Sequence, residues 1–268
     1  MNPTDIDLFA LLKRLHLPTV ARVLPELEVR AAKDGMSHRD FVAILVAEEV
    51  AHRNDTRVQT SVRKAQFPFT KTIEEFDFIF QASISRKALG PWLGPEFVCE
   101  GRNLILSGKP GRGKTHLAIA LAYRAIQNGY DARFVTASAL IDELCAASSA
   151  GGLREATAAY VAPDVLVIDE IGYLHHANDA ANVLYGVVDQ RCTRRRPIVF
   201  TTNKPLKQWG WVLHDNDLAE ALLDRVLERG THVELKGARS WRSKDLDLTM
   251  DPPPPPSGNG SGNPQLGS

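Results

Sequence analysis

Residues 104–117 read LILSGKPGRGKTHL. A short apolar run (104–106) leads into a glycine-punctuated turn (108–113), then Lys114 and Thr115, then an alanine-rich apolar segment typical of a helix. A strand, the pattern G-x-x-x-x-G-K-[ST] and a helix, in this order, indicate a loop that wraps phosphate. An ordinary glycine-rich turn would not require a lysine and a hydroxyl at these offsets. We therefore predict that the chain binds a nucleoside triphosphate.

Each residue type in this loop has a chemical reason to be there. Glycines let successive backbone N–H groups point inward at phosphate oxygens, and the following helix adds its positive dipole end. Lys114 would place a charge on the β- and γ-phosphates, and the Thr115 hydroxyl would bind Mg²⁺. The predicted nucleotide-binding residues of the loop are Gly108, Lys109, Pro110, Gly111, Arg112, Gly113, Lys114, Thr115 and His116.

Length and composition permit one large domain and a smaller one. The 268 residues are 44% hydrophobic, and 32 basic residues balance 32 acidic ones, so any affinity for nucleic acid must come from local patches. No apolar stretch is long enough to span a membrane, and the first residues do not resemble a secretory signal, so we expect a cytoplasmic protein. Three widely spaced cysteines, Cys99, Cys145 and Cys192, fit neither disulfides nor zinc and are expected to be buried free thiols.

Strand and helix patterns alternate after residue 96. Near-continuous apolar strands between helices predict an α/β fold with a five-stranded parallel sheet covered on both sides. One strand lies between the phosphate loop and the next strand that ends in acids, which favours the ATPase branch of P-loop folds. The predicted strands are residues 103–107, 132–136, 165–169, 198–202 and 231–235.

The first 66 residues have helical patterns and contain a basic face. Ser37 and Asp40 predict the start of a long helix, on which Arg53, Arg57 and Lys64 line one side. Between residues 51 and 72 there are five basic residues and one acidic residue, a local charge of +4. This face could bind DNA phosphate or could be an ordinary solvated helix face. The same two interpretations apply to three consecutive arginines before the fourth strand, Arg194, Arg195 and Arg196.

Polar residues at two strand ends predict the rest of the site. Asp169 would hold Mg²⁺ through water, and Glu170 would orient and deprotonate the attacking water. Asn203 would lie near the γ-phosphate, although an asparagine before Lys204-Pro205 could simply form a turn. Asp169 to Gly172 and Asn203-Lys204 also fit parts of the GTPase signature. However, Leu206 stands where the guanine-reading aspartate should be, which argues against a GTPase.

Arginines precede the last predicted strand. Arg225 and Arg229 lie on an apolar-faced helix, residues 218–227 and the turn after it. An arginine presented from a helix can reach the γ-phosphate of a neighbouring subunit. Alternatively, Glu228 could form a salt bridge with either arginine.

These residues together resemble the AAA+ ATPases of the helicase-loader branch, and in particular the IstB-like helper ATPases of insertion-sequence transposons. The resemblance spans roughly residues 5–245. It rests on residues 108–126, VLVIDEIGYL (165–174), TTN (201–203), residues 222–237, SWR (240–242), KAQFP (64–68) and KTIEEFDF (71–78).

The resemblance implies roles for several residues. Asn203 would be sensor I, Arg225 the arginine finger acting in trans with Arg229 as second choice, and Arg242 a sensor-II-like arginine. Little sequence remains after the last strand, so we expect no C-terminal helical lid, which leaves the role of Arg242 open. The implied domains are a helical N-terminal domain (1–69), a connector (70–95), an AAA+ ATPase domain (96–248) and a disordered Pro/Gly/Ser-rich tail (249–268).

The implied function is an ATP- and Mg²⁺-dependent homo-oligomer that binds duplex DNA without reading its sequence and helps a transposase. A replicative helicase loader is the alternative with the same ATPase core. A nucleotide-gated adaptor that needs no hydrolysis is a third possibility, against which Glu170 argues, because such an adaptor needs no catalytic base.

Overall fold

The secondary structure agrees with the predicted alternation of helices and strands. A computed structural model of the chain describes residues 7–172 and 179–237. Arg242, the proline-rich tail and the part of the sequence on which the prediction about a C-terminal lid rests lie outside these residues. The strands are β1 (Asn103–Ser107), β2 (Ala132–Thr136), β3 (Val165–Ile171), β4 (Ile198–Thr202) and β5 (Gly230–Glu234). The helices are α1 (Leu8–Arg14), α2 (Pro18–Asp34), α3 (His38–Lys64), α4 (Glu96–Cys99), α5 (Lys114–Gln127), α6 (Ala137–Ser149), α7 (Leu153–Val161), α8 (Ala180–Thr193), α9 (Trp209–Leu213) and α10 (Asn216–Leu227).

The five strands form one parallel sheet in the order β2-β3-β4-β1-β5. Strand β4 lies between β1, which leads into the phosphate loop, and β3, which ends in the acidic pair. The predicted five-stranded parallel sheet flanked by helices is therefore confirmed. Two strands differ from the prediction in their bounds: β3 continues two residues further, and β5 begins and ends one residue earlier.

Both faces of the sheet are buried, which explains the near-continuous apolar strands. In β1, Leu104 and Leu106 belong to the hydrophobic cluster that includes α5 on one face, whereas Ile105 belongs to the cluster on the other face, which includes residues of α6, α8 and α10. Successive side chains of a strand point to opposite faces, so every position must be apolar when helices cover both.

The N-terminal helices have a core of their own, built from Leu12, Val20, Leu24, Leu27 and Leu45. The Ser37 hydroxyl caps α3 by accepting the N–H of Asp40 at 3.2 Å, as the sequence predicts. No sequence pattern indicated a role for Glu49, whose buried carboxylate accepts the N–H groups of Thr19 (2.9 Å) and Val20 (3.2 Å). This carboxylate of α3 therefore caps the start of α2, a contact 30 residues distant along the chain.

Helix α3 joins the N-terminal helices to the sheet. Its Arg57 donates to the carbonyl of Ile126 at the end of α5 (3.2 Å), and its Ser61 donates to Asp131 (2.9 Å). The carbonyl after the helix, that of Ala65, accepts the N–H of Phe134 on edge strand β2 (2.8 Å). The helix thus crosses from the predicted N-terminal domain to the ATPase domain, and the predicted domain boundaries remain a prediction.

Two features of the surface bear on the sequence analysis. The cysteines are free but not buried, contrary to expectation: Cys99 is exposed, and Cys145 and Cys192 are partly exposed. Among the described helices, none combines the length and the apolar character that crossing a membrane would require.

Candidate functional site

The loop between β1 and α5 has the backbone that the glycine pattern predicts. Gly108, Gly111 and Gly113 have φ values of 145°, 75° and 81°, a region that residues with a Cβ avoid. Space is restricted as well, because a Cβ on Gly113 would lie 2.7 Å from the ring of Phe76. Helix α5 begins directly after Gly113, so its amino end faces the loop.

The hydroxyl and the carboxylate predicted to bind Mg²⁺ are neighbours. Thr115 Oγ1 donates to Asp169 at 2.9 Å (Oδ1) and 3.1 Å (Oδ2), and Asp169 is 4% exposed. Lys114 Nζ donates to the carbonyl of Lys109 at 3.0 Å. Hydroxyl and carboxylate oxygens are the ligands that Mg²⁺ prefers, so this pair suits that ion.

Glu170 occupies an unusual point of β3. Its φ is 61°, and the pairing of β3 with β4 shifts register between Ile168 and Ile171. A bulge of this kind turns a side chain out of the sheet, and left-handed backbone at a non-glycine residue is typical of functional sites. The Glu170 side chain is exposed, whereas Asp169 beside it is buried.

Thr201 and Asn203 come from the end of β4. The buried Thr201 hydroxyl accepts the N–H of Glu170 at 2.9 Å and donates to the Asp169 carboxylate. Asn203 lies against Gly172, where a Cβ would be 2.7 Å from its side-chain oxygen. The sequence placed Asn203 at this strand end but gave Thr201 no role.

These groups border one cavity of about 380 Å³ at the carboxyl ends of the strands. Glu170, Thr201 and Asn203 line it together with residues 110–116 of the loop. Gly108 and Lys109 do not line it: Gly108 lies against the carbonyl of Leu235, and Lys109 accepts from Lys114. The cavity has the size of a small-molecule site.

The other wall of the cavity is formed by the connector (70–95) and the residue before it, for which the sequence predicted no role in the site. Its lining residues are Phe69, Lys71, Glu75, Phe76, Asp77, Phe80 and Gln81. Four of them lie in the motif KTIEEFDF, which carried part of the family resemblance. That motif was the one feature of the sequence that could have indicated a role for the connector. Because the pattern has no period, the sequence could not show that the segment folds back over the phosphate loop.

Specific bonds hold the connector on the loop. Gln81 Nε2 donates to the carbonyl of Arg112 (3.2 Å), and His116 Nε2 donates to the carbonyl of Thr72 (3.0 Å). The ring of Phe76 packs edge-on against His116 with centroids 5.2 Å apart. Burial lowers the pKa of His116, which favours the neutral imidazole at this contact.

Residues 10–248 match the family of IstB-like ATP binding proteins. The chain belongs to this family. Two relatives are similar along nearly their whole lengths. The ATP-binding protein of insertion sequence IS5376 from Geobacillus stearothermophilus is 35% identical over 88% of this chain and 93% of its own. That of insertion sequence IS21 from Pseudomonas aeruginosa is 34% identical over 89% of each.

Solved structures place the IstB-like chain in the AAA+ P-loop fold. The crystal structure of DnaI has a TM-score of 0.50 at 20% identity and covers 63% of this chain and 89% of its own. AMPPCP-bound DnaA from Aquifex aeolicus has a TM-score of 0.54 at 17% identity, covering 68% and 57%. Because the sequence identities are this low, these two structures show only that the chain shares their fold.

Arg225 lies far from the cavity of its own chain. The next residue, Val226, accepts from Asn103, which is the first residue of β1, so this part of α10 is at the amino ends of the strands. The predicted salt bridge exists, but its partner is Asp189 of α8 (3.1 Å) and not Glu228. A hydrogen bond to Tyr185 and the charge of Asp189 raise the pKa of Arg225.

The basic residues predicted to bind DNA are not all free. On α3, Arg53 pairs with Glu49 (2.9 Å) and donates to the carbonyl of His16, and Arg57 bonds to the ATPase core. Lys64, at the end of the helix, is exposed. In the second group Arg196 pairs with Asp164 (3.7 Å), while Arg194 and Arg195 are exposed.

Proposed function

We propose that this IstB-like protein is an ATP-hydrolysing, DNA-binding oligomer that assists a transposase in insertion-sequence transposition. It would act in the cytoplasm, delivering target DNA and activating the transposase. The names of its relatives, ATP-binding proteins of insertion sequences, support the context. The observation that carries the ATPase part is Glu170, which projects into the cavity from a left-handed bulge beside the buried Asp169.

Each group at the cavity has a distinct task in hydrolysis. The N–H groups of the loop and Lys114 bind the phosphates, and Thr115 and Asp169 would hold Mg²⁺, which neutralises charge on the β- and γ-phosphates. Glu170 takes a proton from the attacking water, and Asn203 orients that water. Because Thr201 fixes both Asp169 and the backbone of Glu170, metal-binding and base positions are set by one hydroxyl.

The cavity needs a further positive group at the transition state. Arginines supplied from outside a P-loop site stabilise charge on the transferring phosphoryl group. Arg112 is the only arginine among the described lining residues, and it is buried beside Gly237. Arg225 lies at the opposite ends of the strands, so it would act on the ATP of a neighbouring copy.

Two variants separate binding from chemistry. Lys114→Ala removes a phosphate contact and should abolish ATP binding. Glu170→Gln keeps the shape of the side chain but removes the base, so ATP should bind and persist. Filter binding of ATP and release of phosphate measure both, with Glu155→Gln on the exposed surface of α7 as a matched control. Rapid hydrolysis by the Glu170→Gln protein would show that Glu170 is not the base.

The transposition part is tested with DNA and the transposase of the same insertion sequence. ATP should promote sedimentation of this protein with duplex DNA, and Glu170→Gln should retain that complex because ATP persists. Adding the transposase should then give a ternary complex that Lys114→Ala does not form. If ATP hydrolysis is normal but no transposase is retained under any nucleotide condition, the proposed partner is wrong.

A further inference from the structure

A second cleft lies at the amino ends of the strands, opposite the ATP cavity. Its volume is about 300 Å³, and Arg195, Arg225 and Arg229 line it together with Glu228. The arginines come from two elements: the loop between α8 and β4 provides Arg195, and α10 with the turn after it provides the other two.

Asn103, which also lines the cleft, holds these elements together. Its Oδ1 accepts the N–H of Ile198 at the start of β4 (2.9 Å), and its Nδ2 donates to the carbonyl of Val226 in α10 (3.0 Å). One buried side chain thus fixes the two arginine-bearing segments relative to each other. The cleft is therefore a built feature and not a chance approach of mobile side chains.

Arg195 adopts a backbone conformation that arginine normally avoids. Its φ is 54°, and its carbonyl packs on Gly101, where a Cβ would lie 2.6 Å from the carbonyl oxygen. Non-glycine residues in this region are disfavoured and persist where the surrounding structure imposes them. Held in this position, Arg195 lines the cleft together with Arg225 and Arg229.

The cleft carries an excess of positive charge. Asp189 pairs with Arg225, whereas in the described part of the chain neither Arg195 nor Arg229 has an ion-pair partner. Three arginines face two carboxylates, Asp189 and Glu228, which leaves one positive charge. Arginine forks bind phosphate oxygens in pairs, so a phosphate group would satisfy both the charge and the geometry.

We propose that this cleft receives the γ-phosphate of ATP bound to a second copy of the chain, and that Arg195 is a catalytic arginine acting in trans beside Arg225. The inference rests on the proposed ATPase function. It moves Arg195 from the predicted DNA contacts to the nucleotide site of the neighbouring subunit, and it adds a second element, the loop before β4, to the catalytic face.

The test compares ATP hydrolysis by assembled protein. Arg195→Gln removes the charge, and Arg195→Gly also permits the positive φ, so it guards against misfolding of the loop. Both variants should bind ATP and assemble like the parent protein. They should hydrolyse ATP about tenfold to a hundredfold more slowly, because losing a hydrogen bond to a charged group in the transition state lowers the rate by about this factor. Arg154→Gln, an exposed arginine of α7, serves as the matched control.

Mixing identifies the subunit in which Arg195 acts. Lys114→Ala protein cannot bind ATP but still carries Arg195, so adding it to Arg195→Gln protein should restore part of the activity. Arg225→Ala mixed in the same way serves as the reference. The salt dependence of DNA binding should be the same for Arg195→Gln and the parent protein.

Three results would overturn the inference. Hydrolysis at the parent rate by both Arg195 variants would exclude a catalytic role, while the proposed ATPase stands. Suppose that both Arg225→Ala and Arg195→Gln hydrolyse ATP more slowly, but that Lys114→Ala protein restores activity only to Arg225→Ala. Arg195 would then act on the ATP of its own subunit. Absence of hydrolysis by the assembled parent protein would refute the ATPase function itself.

Discussion

The hydroxyl of Thr201 accepts the backbone N–H of Glu170 at 2.9 Å. The bond joins β4 to β3 where their register shifts, so it fixes the left-handed backbone that turns the Glu170 side chain into the cavity. The same hydroxyl donates to Asp169. Thr201 thus positions the proposed base.

Thr201→Val should therefore impair hydrolysis more than binding. Valine has the same shape but cannot accept, and leaving an N–H without a partner costs about 1–3 kcal/mol. We expect ATP binding to remain and phosphate release to fall about tenfold or more. Thr201→Ser keeps the hydroxyl and should retain most of the activity. Equal rates for the serine and valine variants would contradict a positioning role.

Gly113→Ala should weaken ATP binding through both backbone and packing. A Cβ at a φ of 81° costs about 1–2 kcal/mol, and here it would also press on the Phe76 ring at 2.7 Å. Gly129→Ala is the matched control, because its φ is 104° but a Cβ there meets nothing within 4 Å. Both variants should unfold at a lower temperature, but only Gly113→Ala should lose ATP affinity in a filter assay. An unchanged affinity would mean that Phe76 moves aside freely.

The sequence predicted those parts of the candidate site that depend on short local patterns. It did not predict the parts that depend on contacts between residues far apart along the chain. The phosphate loop, the acidic strand end and Asn203 follow from short motifs whose spacing the chemistry requires. The connector wall depends on bonds such as Gln81 to Arg112, 31 residues away, which no periodicity reveals. Arg225 illustrates the same limit: a helical rule suggested Glu228, whereas the partner is Asp189 on another helix.

The sequence also did not show that Arg191 is buried. It lies close to three further arginines, Arg194–Arg196, which are exposed or half-exposed, and nothing in the sequence distinguishes it from them. It is fully buried and donates to the carbonyls of Tyr160, Val161, Pro163, Asp164 and Pro197. Burial lowers the pKa of Arg191, but the carbonyl cage compensates for the lost water. The guanidinium thereby ties the end of α7 to the starts of β3 and β4.

Arg191→Ala should consequently destabilise the fold. The substitution removes one hydrogen-bond donor from each of five carbonyls. We therefore expect the free energy of unfolding to fall by about 3–5 kcal/mol. Arg154→Ala, on the exposed side of α7, should change it by less than about 0.5 kcal/mol. Urea unfolding followed by circular dichroism measures both. Similar midpoints for the two variants would show that water can replace the guanidinium.

Glu49 should make the stability of the N-terminal helices depend on pH. Burial alone would raise its pKa, but the hydrogen bond from Arg53, the N–H groups of Val20 and Thr19 and the charge of Arg53 outweigh burial and lower it. A lowered pKa in the folded state means that the ionised form stabilises the fold. That contribution is present above the ordinary pKa of 4.5 and is lost as pH falls through the lower folded value.

Comparison with Glu49→Gln isolates this contribution. The amide keeps one acceptor but carries no charge, so the variant should unfold at a lower temperature than the parent at pH 7. The difference between the two melting temperatures should shrink progressively below about pH 4.5. Circular dichroism melts from pH 3 to pH 7 provide the measurement. A difference that is constant over this range would mean that the cap does not need an ionised carboxylate.

The basic side of α3 remains a predicted DNA contact, and salt titration tests it. Each phosphate contact on duplex DNA contributes about −0.9 to the slope of log affinity against log salt concentration. Replacing Arg53, Arg57 and Lys64 by glutamine should flatten the slope by up to about 3 units per engaged subunit. Because Arg57 also bonds to Ile126 and Arg53 pairs with the buried Glu49, we expect this variant to lose some thermal stability. Lys64→Gln alone, at an exposed residue, avoids that loss.

The matched control removes the same charge from the far end of the helical region. Arg30, Lys33 and Arg39 lie on α2 and the start of α3, and their replacement by glutamine should leave the slope unchanged. This control matters because lowering the net charge by three weakens any attraction to DNA at long range. If both triple variants flatten the slope equally, the effect is one of total charge. If neither does, α3 is a solvated face, and the contact must be sought at Arg194 and Arg196.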